Sequence, residues 1–204
     1  MTSVSGTEGY AEEADDLFQR YESISLAEVH RSVLHLIPTE PCWVLDIGSG
    51  TGRDAAALAA MGHRVVALEP TDEMRMRAAA LHPSRQIEWL DDSLPDLRHA
   101  LGLGKQFDVV MMTAVWMHLD QPQRRRAMPG VASLVRAGGV MMMSLRHEPV
   151  PPGRRMFAVS ADETIGLAEA AGLQLLVNQS APSALGAGGV SWTRLAFAKG
   201  SATA

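Results

Sequence analysis

Three glycines and two acids have the types and the spacing of a ligand site. Gly48, Gly50 and Gly52 alternate directly after an apolar stretch that contains Asp46. Glycines at such positions let the backbone turn sharply, and they let a ligand approach where a Cβ atom would collide. Glu69 ends the next apolar stretch, and a carboxylate there can accept hydrogen bonds from both hydroxyls of a ribose.

The neighbouring segments predict the elements that would position these residues. Residues 43–47 predict a strand buried on both faces, and residues 53–61 predict an Ala- and Leu-rich helix that ends at Gly62. A strand, a glycine loop and a helix N-terminus together indicate a nucleotide-type site at the carboxyl end of a parallel sheet.

Two features of the loop favour a ligand without phosphate. The dinucleotide fingerprint G-x-G-x-x-G has its final glycine where this sequence has Arg53, and the G-K-[ST] signature of phosphate loops is absent. Asp46 would repel a pyrophosphate and attract a cationic group. S-adenosylmethionine is a ligand of this kind, because it has a ribose and an ammonium group but no phosphate.

At this point the sequence resembles the class I S-adenosylmethionine-dependent methyltransferases. Five elements in family order carry the resemblance: Val44–Gly52, Glu69, Asp91-Asp92 with Leu94-Pro95, Phe107–Val110, and Ala137-Gly138-Gly139. The resemblance implies an α/β fold with a doubly wound, mostly parallel seven-stranded sheet, helices on both faces and an antiparallel last strand.

The resemblance also implies a set of cofactor contacts at the ends of the first four strands. We expect the cofactor to contact Asp46, Gly48, Ser49, Gly50, Gly52, Arg53, Glu69, Pro70, Asp91, Asp92, Ser93, Thr113 and Ala114. We favour Asp91 as the carboxylate that accepts from the adenine amine, with Ser93 as its backbone neighbour, whereas Asp92 or Ser93 also suits a helix N-cap. The sulfonium is already activated and no metal-ligand spacing is present, so we expect no metal.

The acceptor side of the site is predicted from residues that follow the fourth and fifth strands. We expect Tyr21, Trp116 and Arg146 to contact the acceptor, and His147, His118 and Arg146 to be the candidates for catalysis. His147 is the first choice for a general base because an imidazole titrates near neutral pH. His118 also suits a structural role in which it bonds to the backbone. The consecutive Arg124–Arg126 cannot share one helix face, which favours a solvated surface.

The chain predicts one domain overall, with an N-terminal helical segment over residues 1–37 and the methyltransferase domain over residues 38–204. We predict helices over 10–21 and from Ser25, with its capping box to Glu28, through Ile37. These helices either form a lid over the cofactor or pack on the sheet edge. Residues 1–9 and the C-terminal tail are predicted to be unstructured, and residues 180–189 a flexible connection. The remaining predicted strands are 63–69, 87–90, 107–114, 140–145, 173–178 and 191–198, and the predicted helices between them are 71–81, 95–101, 121–135 and 160–172.

Composition limits the partners. Hydrophobic residues make up 47% of the chain. The net charge of −5 argues against unaided binding to nucleic acid. No apolar run is long enough to span a membrane, and the acidic N-terminus does not read as a signal region, so we expect a cytoplasmic location. Cys42 is the single cysteine and reads as a small core residue. The sequence leaves the oligomeric state open.

The resulting interpretation is methyl transfer from S-adenosylmethionine to a heteroatom of a small-molecule acceptor, with S-adenosylhomocysteine as product. A macromolecular acceptor and a non-catalytic protein that binds the cofactor remain alternatives. A nicotinamide oxidoreductase is disfavoured by the glycine spacing.

Overall fold

The computed structural model describes residues 4–183, 185–186 and 189–201. Within these ranges, strands and helices alternate along the chain. The strands are β1 (Trp43–Ile47), β2 (Arg64–Leu68), β3 (Ile87–Leu90), β4 (Phe107–Thr113), β5 (Val135–Arg146), β6 (Leu173–Pro182) and β7 (Ser191–Lys199). The helices are α1 (Ala14–Glu22), α2 (Leu26–Val29), α3 (Arg53–Ala60), α4 (Asp72–Leu81), α5 (Arg98–Gly102), α6 (Gln121–Leu134) and α7 (Ala161–Ala170).

The strands form one sheet in the order β3-β2-β1-β4-β5-β7-β6. The first five strands pair in parallel, and β7 runs antiparallel to both β5 and β6. The predicted fold class is therefore confirmed. In a parallel sheet covered on both faces the strands are apolar throughout, and Val109 to Met112 of β4 are completely buried.

Helices cover both faces of the sheet. On one face α5, α6 and α7 pack around Phe107, Trp116 and Phe197. On the other face α2 and α3 pack against β1, β2 and β4. The methionines Met141–Met143 of β5 are buried in these two cores, in keeping with a flexible side chain that fills irregular apolar space.

The second N-terminal helix is much shorter than predicted. The capping box of Ser25 and Glu28 is present, but α2 ends at Val29, and a 3₁₀ turn follows at Leu34–Leu36. The backbone leaves the helix at His30, whose buried ring contacts Asp54 of α3. This buried polar contact replaces the continuous helix that the apolar spacing favours.

Arg124 corrects the prediction of a solvated arginine run. Its side chain is buried, with an ion pair of 2.9 Å to Glu163 of α7 and donated hydrogen bonds to the carbonyls of Leu119 and Ala158. Arg125 and Arg126 are exposed. One arginine of the three therefore ties α6 to α7.

The segments predicted to be irregular are partly described. Residues 4–13 form turns that pack on the rest of the protein, and β6 extends to Pro182. Residues 1–3 and 202–204, predicted to be unstructured, lie outside the described ranges. Residues 184, 187 and 188 of the predicted flexible connection also lie outside them. None of the described helices has the length and apolar character needed to cross a membrane. Among the same residues, no group of three or more His, Cys, Asp and Glu side chains is placed to hold a metal ion.

Candidate functional site

The glycine loop between β1 and α3 is tied to the neighbouring strand. The N–H groups of Gly48 and Ser49 both donate to the Leu68 carbonyl, at 2.8 and 2.9 Å. All three glycines have positive φ, which side chains rarely adopt. A Cβ atom on Gly52 would lie 2.5 Å from the Trp89 ring, whereas one on Gly50 would meet nothing within 4 Å. Gly52 therefore serves packing, and Gly50 borders open space.

Asp46 is a carboxyl group in the interior without a complete set of partners. Its side chain is 2% exposed, and its Oδ2 atom makes no hydrogen bond within the described part of the chain. Burial, with repulsion from Asp54 and Glu69, raises the pKa of Asp46 to about 8 against the attraction of Arg53. A cationic ligand group beside this carboxyl would restore its charge.

Glu69 holds the loop from the end of β2. Its Oε2 accepts from the Gly50 N–H at 3.0 Å and its Oε1 from the Thr71 N–H at 2.9 Å. Burial raises the pKa of Glu69 although these hydrogen bonds oppose the shift. An ionised carboxylate has about four acceptor positions, so two remain for a ligand.

Asp54 joins the helix N-terminus to β4 and α2. Its oxygens contact Arg53 Nε at 2.8 Å and His30 Nε2 at 2.7 Å, and Thr113 Oγ1 lies 3.4 Å away. Burial alone would raise the pKa of Asp54, but His30 and Arg53 together hold it well below its usual range. Thr113 is thereby fixed at the point where β4 ends, and Ala114 follows with a φ of 61° and an N–H that donates to Ser144 Oγ.

The two acids after β3 have different environments. Asp91 is exposed, lies 3.7 Å from Arg75 and does not line the cavity described below. Asp92 is buried and accepts from the N–H groups of Ser93 and Ala100 at 2.9 and 2.8 Å. Asp92 therefore caps the following helical segment, and it lines the cavity together with Ser93.

A cavity of about 660 Å³ connects these groups. Its floor is the carboxyl end of the sheet, with Asp46, Gly50 and Glu69. Its lining also includes residues 4–7 and Tyr10 of the N-terminal segment and residues 149–152 of the loop after β5. This volume lies within the range of small-molecule sites.

His118 and Tyr10 form a pair in the cavity wall. His118 Nδ1 lies 2.8 Å from the Arg155 carbonyl, and Nε2 lies 3.0 Å from the Tyr10 hydroxyl. Because a carbonyl only accepts, Nδ1 carries the proton, and neutral Nε2 accepts from the Tyr10 O–H. Burial, together with Arg154 and Arg146, lowers the pKa of His118 even though the Arg155 carbonyl opposes this, which keeps the ring neutral near pH 7.

The comparisons with known proteins agree with this geometry. A family described as "Methyltransferase domain" matches residues 44–139, the span that holds the glycine loop, Glu69, Asp92 and Thr113. Residues 44–139 therefore match a methyltransferase domain, in agreement with the resemblance to the class I S-adenosylmethionine-dependent methyltransferases.

Relatives share this domain at moderate identity. An uncharacterized methyltransferase of Bacillus pumilus (strain SAFR-032) is 27% identical over 143 residues, which cover 67% of this chain and 58% of that protein. Glycine N-methyltransferase of Rattus norvegicus is 28% identical over 152 residues, which cover 64% of this chain and 52% of that protein. The chain thus spans somewhat more than half the length of these relatives.

A solved structure shows the same fold. The 1,6-didemethyltoxoflavin N1-methyltransferase of Burkholderia thailandensis, with bound 1,6-didemethyltoxoflavin and S-adenosylhomocysteine, superposes with a TM-score of 0.68. The match covers 98% of this chain and 92% of that chain at 18% identity. At that identity the likeness concerns the fold.

The structure brings most of the predicted cofactor residues together. Asp46, Gly48, Ser49, Gly50, Arg53, Glu69, Pro70, Asp92, Ser93, Thr113 and Ala114 line the cavity. Gly52 lies behind the loop against Trp89, and Asp91 lies outside.

The predicted acceptor residues divide into two groups. Tyr21, Arg146 and His118 line the cavity. Trp116 is completely buried in the core beside α6, because the 3₁₀ turn after β4 points it inward. His147 does not line the cavity, and its Nε2 lies 2.8 Å from Thr193 Oγ1 of β7. Both residues therefore lie away from the place that the prediction gave them.

Arg194 was missed. It lies on β7 and lines the cavity with 5% of its surface exposed, and its Nη1 is buried without a partner among the described residues. An arginine directly before the apolar run of residues 195–198 was the available signal, since a buried arginine needs a reason.

Proposed function

We propose that this protein transfers a methyl group from S-adenosylmethionine to a heteroatom of a small-molecule acceptor. The match of residues 44–139 to a methyltransferase domain supports the reaction type. The observation that supports the acceptor class is the cavity, which residues 4–7 and the 149–152 loop line together with the glycine loop. A cavity of about 660 Å³ suits a cofactor and a small acceptor.

The residues present fit the cofactor. The orphaned Oδ2 of Asp46 suits the ammonium of the methionine end, because a buried polar atom without a partner is costly until one is supplied. The open space beside Gly50 allows the ligand to touch the loop backbone. The free acceptor positions of Glu69 suit the ribose hydroxyls.

The adenine end is assigned to Asp92 and Ser93. Asp91, favoured from the sequence, is exposed outside the cavity. Asp92 has both oxygens engaged by backbone N–H groups, so its contribution is to hold the Ser93 backbone in place beside the base.

The bound cofactor supplies a methyl group already activated on a sulfonium, so the protein's task is positioning. Holding the acceptor and the methyl group at near-attack distance can contribute up to ~7–11 kcal/mol. Thr113 and Ala114, fixed by Asp54 and Ser144, form the wall at the end of β4.

The Tyr10–His118 pair is the better candidate for proton acceptance. Neutral His118 Nε2 already accepts the Tyr10 hydrogen bond at 3.0 Å, so an acceptor proton taken up at Tyr10 can pass on to His118. His147, which lies outside the cavity, is no longer the first choice. Arg146 lines the cavity and remains a contact for the acceptor.

Calorimetric titration with S-adenosylhomocysteine, followed by transfer of a labelled methyl group across a panel of small amines, phenols, thiols and carboxylates, tests the proposal. We expect binding and the release of S-adenosylhomocysteine with at least one small acceptor. Gly50→Val is the control, because its side chain would occupy the open space beside the loop. Binding without turnover on any small acceptor would favour the non-catalytic alternative, and labelling of protein or nucleic acid alone would favour a macromolecular acceptor.

A further inference from the structure

Arg194 occupies a defined place at the carboxyl edge of the sheet. In the strand register Thr113 of β4 pairs with Ser144 of β5, and Ser144 pairs with Arg194 of β7. Residues directly opposite each other share a face of the sheet. Arg194 is therefore in one row with Thr113, which lines the cavity where β4 ends.

The guanidinium of Arg194 is a buried cation without a matching anion. It is 5% exposed, its Nη1 has no hydrogen-bond partner, and none of its nitrogens lies in an ion pair with any described residue. Asp54 is the acid whose charge acts on it, but the Asp54 oxygens already contact Arg53 and His30. The positions outside the described ranges carry no acidic side chain.

A buried guanidinium without an anion destabilises the folded protein unless a partner is supplied. An unpaired buried charge destabilises a folded protein by several kcal/mol in typical cases. Arg124, the other arginine buried to this extent in the described ranges, has carboxylate and carbonyl partners. Arg194 instead lines the cavity, which points to a ligand as its missing partner.

We propose that Arg194 binds a carboxylate of the methyl acceptor, a substrate class that rests on the proposed function. A guanidinium presents two parallel N–H donors that match the two oxygens of a carboxylate. The Trp192 ring lies 5.2 Å from the Arg194 guanidinium carbon and also lines the cavity, so it restricts the plane in which the pair can form. A single cation matches a monoanion better than a phosphate dianion.

The position of Arg194 favours the acceptor over the cofactor as the source of this carboxylate. The glycine loop follows β1, and β7 is three strands away in the order β1-β4-β5-β7. Three inter-strand spacings amount to roughly 14 Å. Arg53, in contrast, follows the glycine loop directly and lines the cavity there, so it is the nearer cation for the cofactor's own carboxylate.

The test compares carboxylates with their neutral amides on the full chain saturated with S-adenosylhomocysteine. Glycine, anthranilate and benzoate are each titrated beside glycinamide, anthranilamide and benzamide, in wild type, Arg194→Met, Arg194→Lys and Arg85→Met. Arg85 is exposed and provides the same charge change away from the cavity. We expect at least one carboxylate to bind wild type and Arg85→Met ~10- to 150-fold more tightly than its amide, and Arg194→Met to lose this preference.

Each other outcome overturns the proposal in a distinct way. If no pair shows a carboxylate preference in wild type, or if Arg194→Met keeps it, Arg194 does not bind a ligand carboxylate. If Arg194→Met instead lowers S-adenosylhomocysteine affinity tenfold or more, the arginine holds the cofactor. Arg194→Lys keeps the positive charge but lacks the two parallel N–H donors of the guanidinium, so it should retain only part of the preference for the carboxylate over its amide. This variant therefore tests the proposal even if Arg194→Met fails to fold. Failure of wild type to bind S-adenosylhomocysteine would reject the proposed function, while the carboxylate titration of the ligand-free protein would still decide the role of Arg194.

Discussion

We expect Asp46 to make the cofactor affinity dependent on pH. Its pKa of about 8 means that the free protein holds a protonated carboxyl below that pH, whereas a bound ammonium group favours the carboxylate. Binding therefore releases a proton below pH 8, and affinity for S-adenosylhomocysteine should rise by up to ~10-fold per pH unit between pH 6 and 8. Calorimetry in buffers of different ionisation enthalpy measures both the affinity and the proton count.

Asp46→Asn is the matched control for this pH dependence. It removes the titrating group and keeps the size of the side chain, so the slope between pH 6 and 8 should disappear and the affinity at pH 8 should fall. A wild-type affinity that is level across this range, without proton release, would show that no cation of the ligand reaches Asp46.

Gly50 and Gly52 allow a second comparison between similar positions. Both have positive φ, so alanine at either costs about 1–2 kcal/mol of backbone strain. Only at Gly52 does the new Cβ atom also meet the Trp89 ring, at 2.5 Å. Denaturant unfolding should show Gly52→Ala to be the more destabilised variant by at least ~1 kcal/mol. Equal losses would mean that Trp89 moves aside freely.

At the scale of single residues, the sequence predicted the glycine loop but not the environments of several residues outside it. The glycines and the acid after β1 could be read because loop chemistry depends on neighbours in the chain. The burial of Trp116 and Arg124, the exposure of Asp91 and the unpaired state of Arg194 depend on which distant segment packs against each residue. His147 illustrates this, because its contact with Thr193 follows from the pairing of β5 with β7.

Among the elements, α6 and α7 are joined by a buried ion pair. Arg124→Met would leave the carboxylate of Glu163 without its partner and remove two hydrogen bonds to carbonyls. Breaking a buried pair costs roughly 3–5 kcal/mol. We expect a loss of that order in denaturant unfolding, against less than about 0.5 kcal/mol for the exposed neighbour Arg125→Met. A loss below 1 kcal/mol for Arg124→Met would contradict the buried geometry.

The N-terminal segment is held by polar contacts to the far side of the cavity. The Tyr10 hydroxyl bonds to His118, and Arg154 donates to the Glu8 carbonyl and to Glu13. If residues 4–13 act as a lid, Tyr10→Phe should loosen them. Amide hydrogen exchange of this segment should then become several-fold faster, while that of β4 stays unchanged. Unaltered exchange would indicate that the segment is held by packing alone.

The order of the elements was largely predictable, and their ends were not. Glycine, proline and capping residues mark the boundaries locally, and the Ser25–Glu28 box appears where expected. The early end of α2 depends on the contact between His30 and Asp54, which only the packed structure supplies. The lid and the division at residue 37 stay predictions.

For the molecule as a whole, ligand binding and folding are linked. S-adenosylhomocysteine at 100 times its dissociation constant should stabilise the native state by about 2.7 kcal/mol. For a domain of this size that corresponds to a rise in melting temperature of roughly 5–11 °C. Thermal scans of wild type beside Gly50→Val measure it, and a shift of equal size in both proteins would place the ligand outside the glycine loop.

The position of β7 between β5 and β6 imposes an order on synthesis. A ribosome releases β6 before β7, so a nascent chain that has completed β6 has no neighbour for it in the sheet. The strand that carries Arg194 must then enter between two segments that are already outside the exit tunnel. The glycine loop and Glu69 can assemble early from β1 and β2, whereas the side of the cavity that carries Arg194 forms only when β7 is inserted. During translation the glycine loop can thus form well before the side of the cavity that carries Arg194.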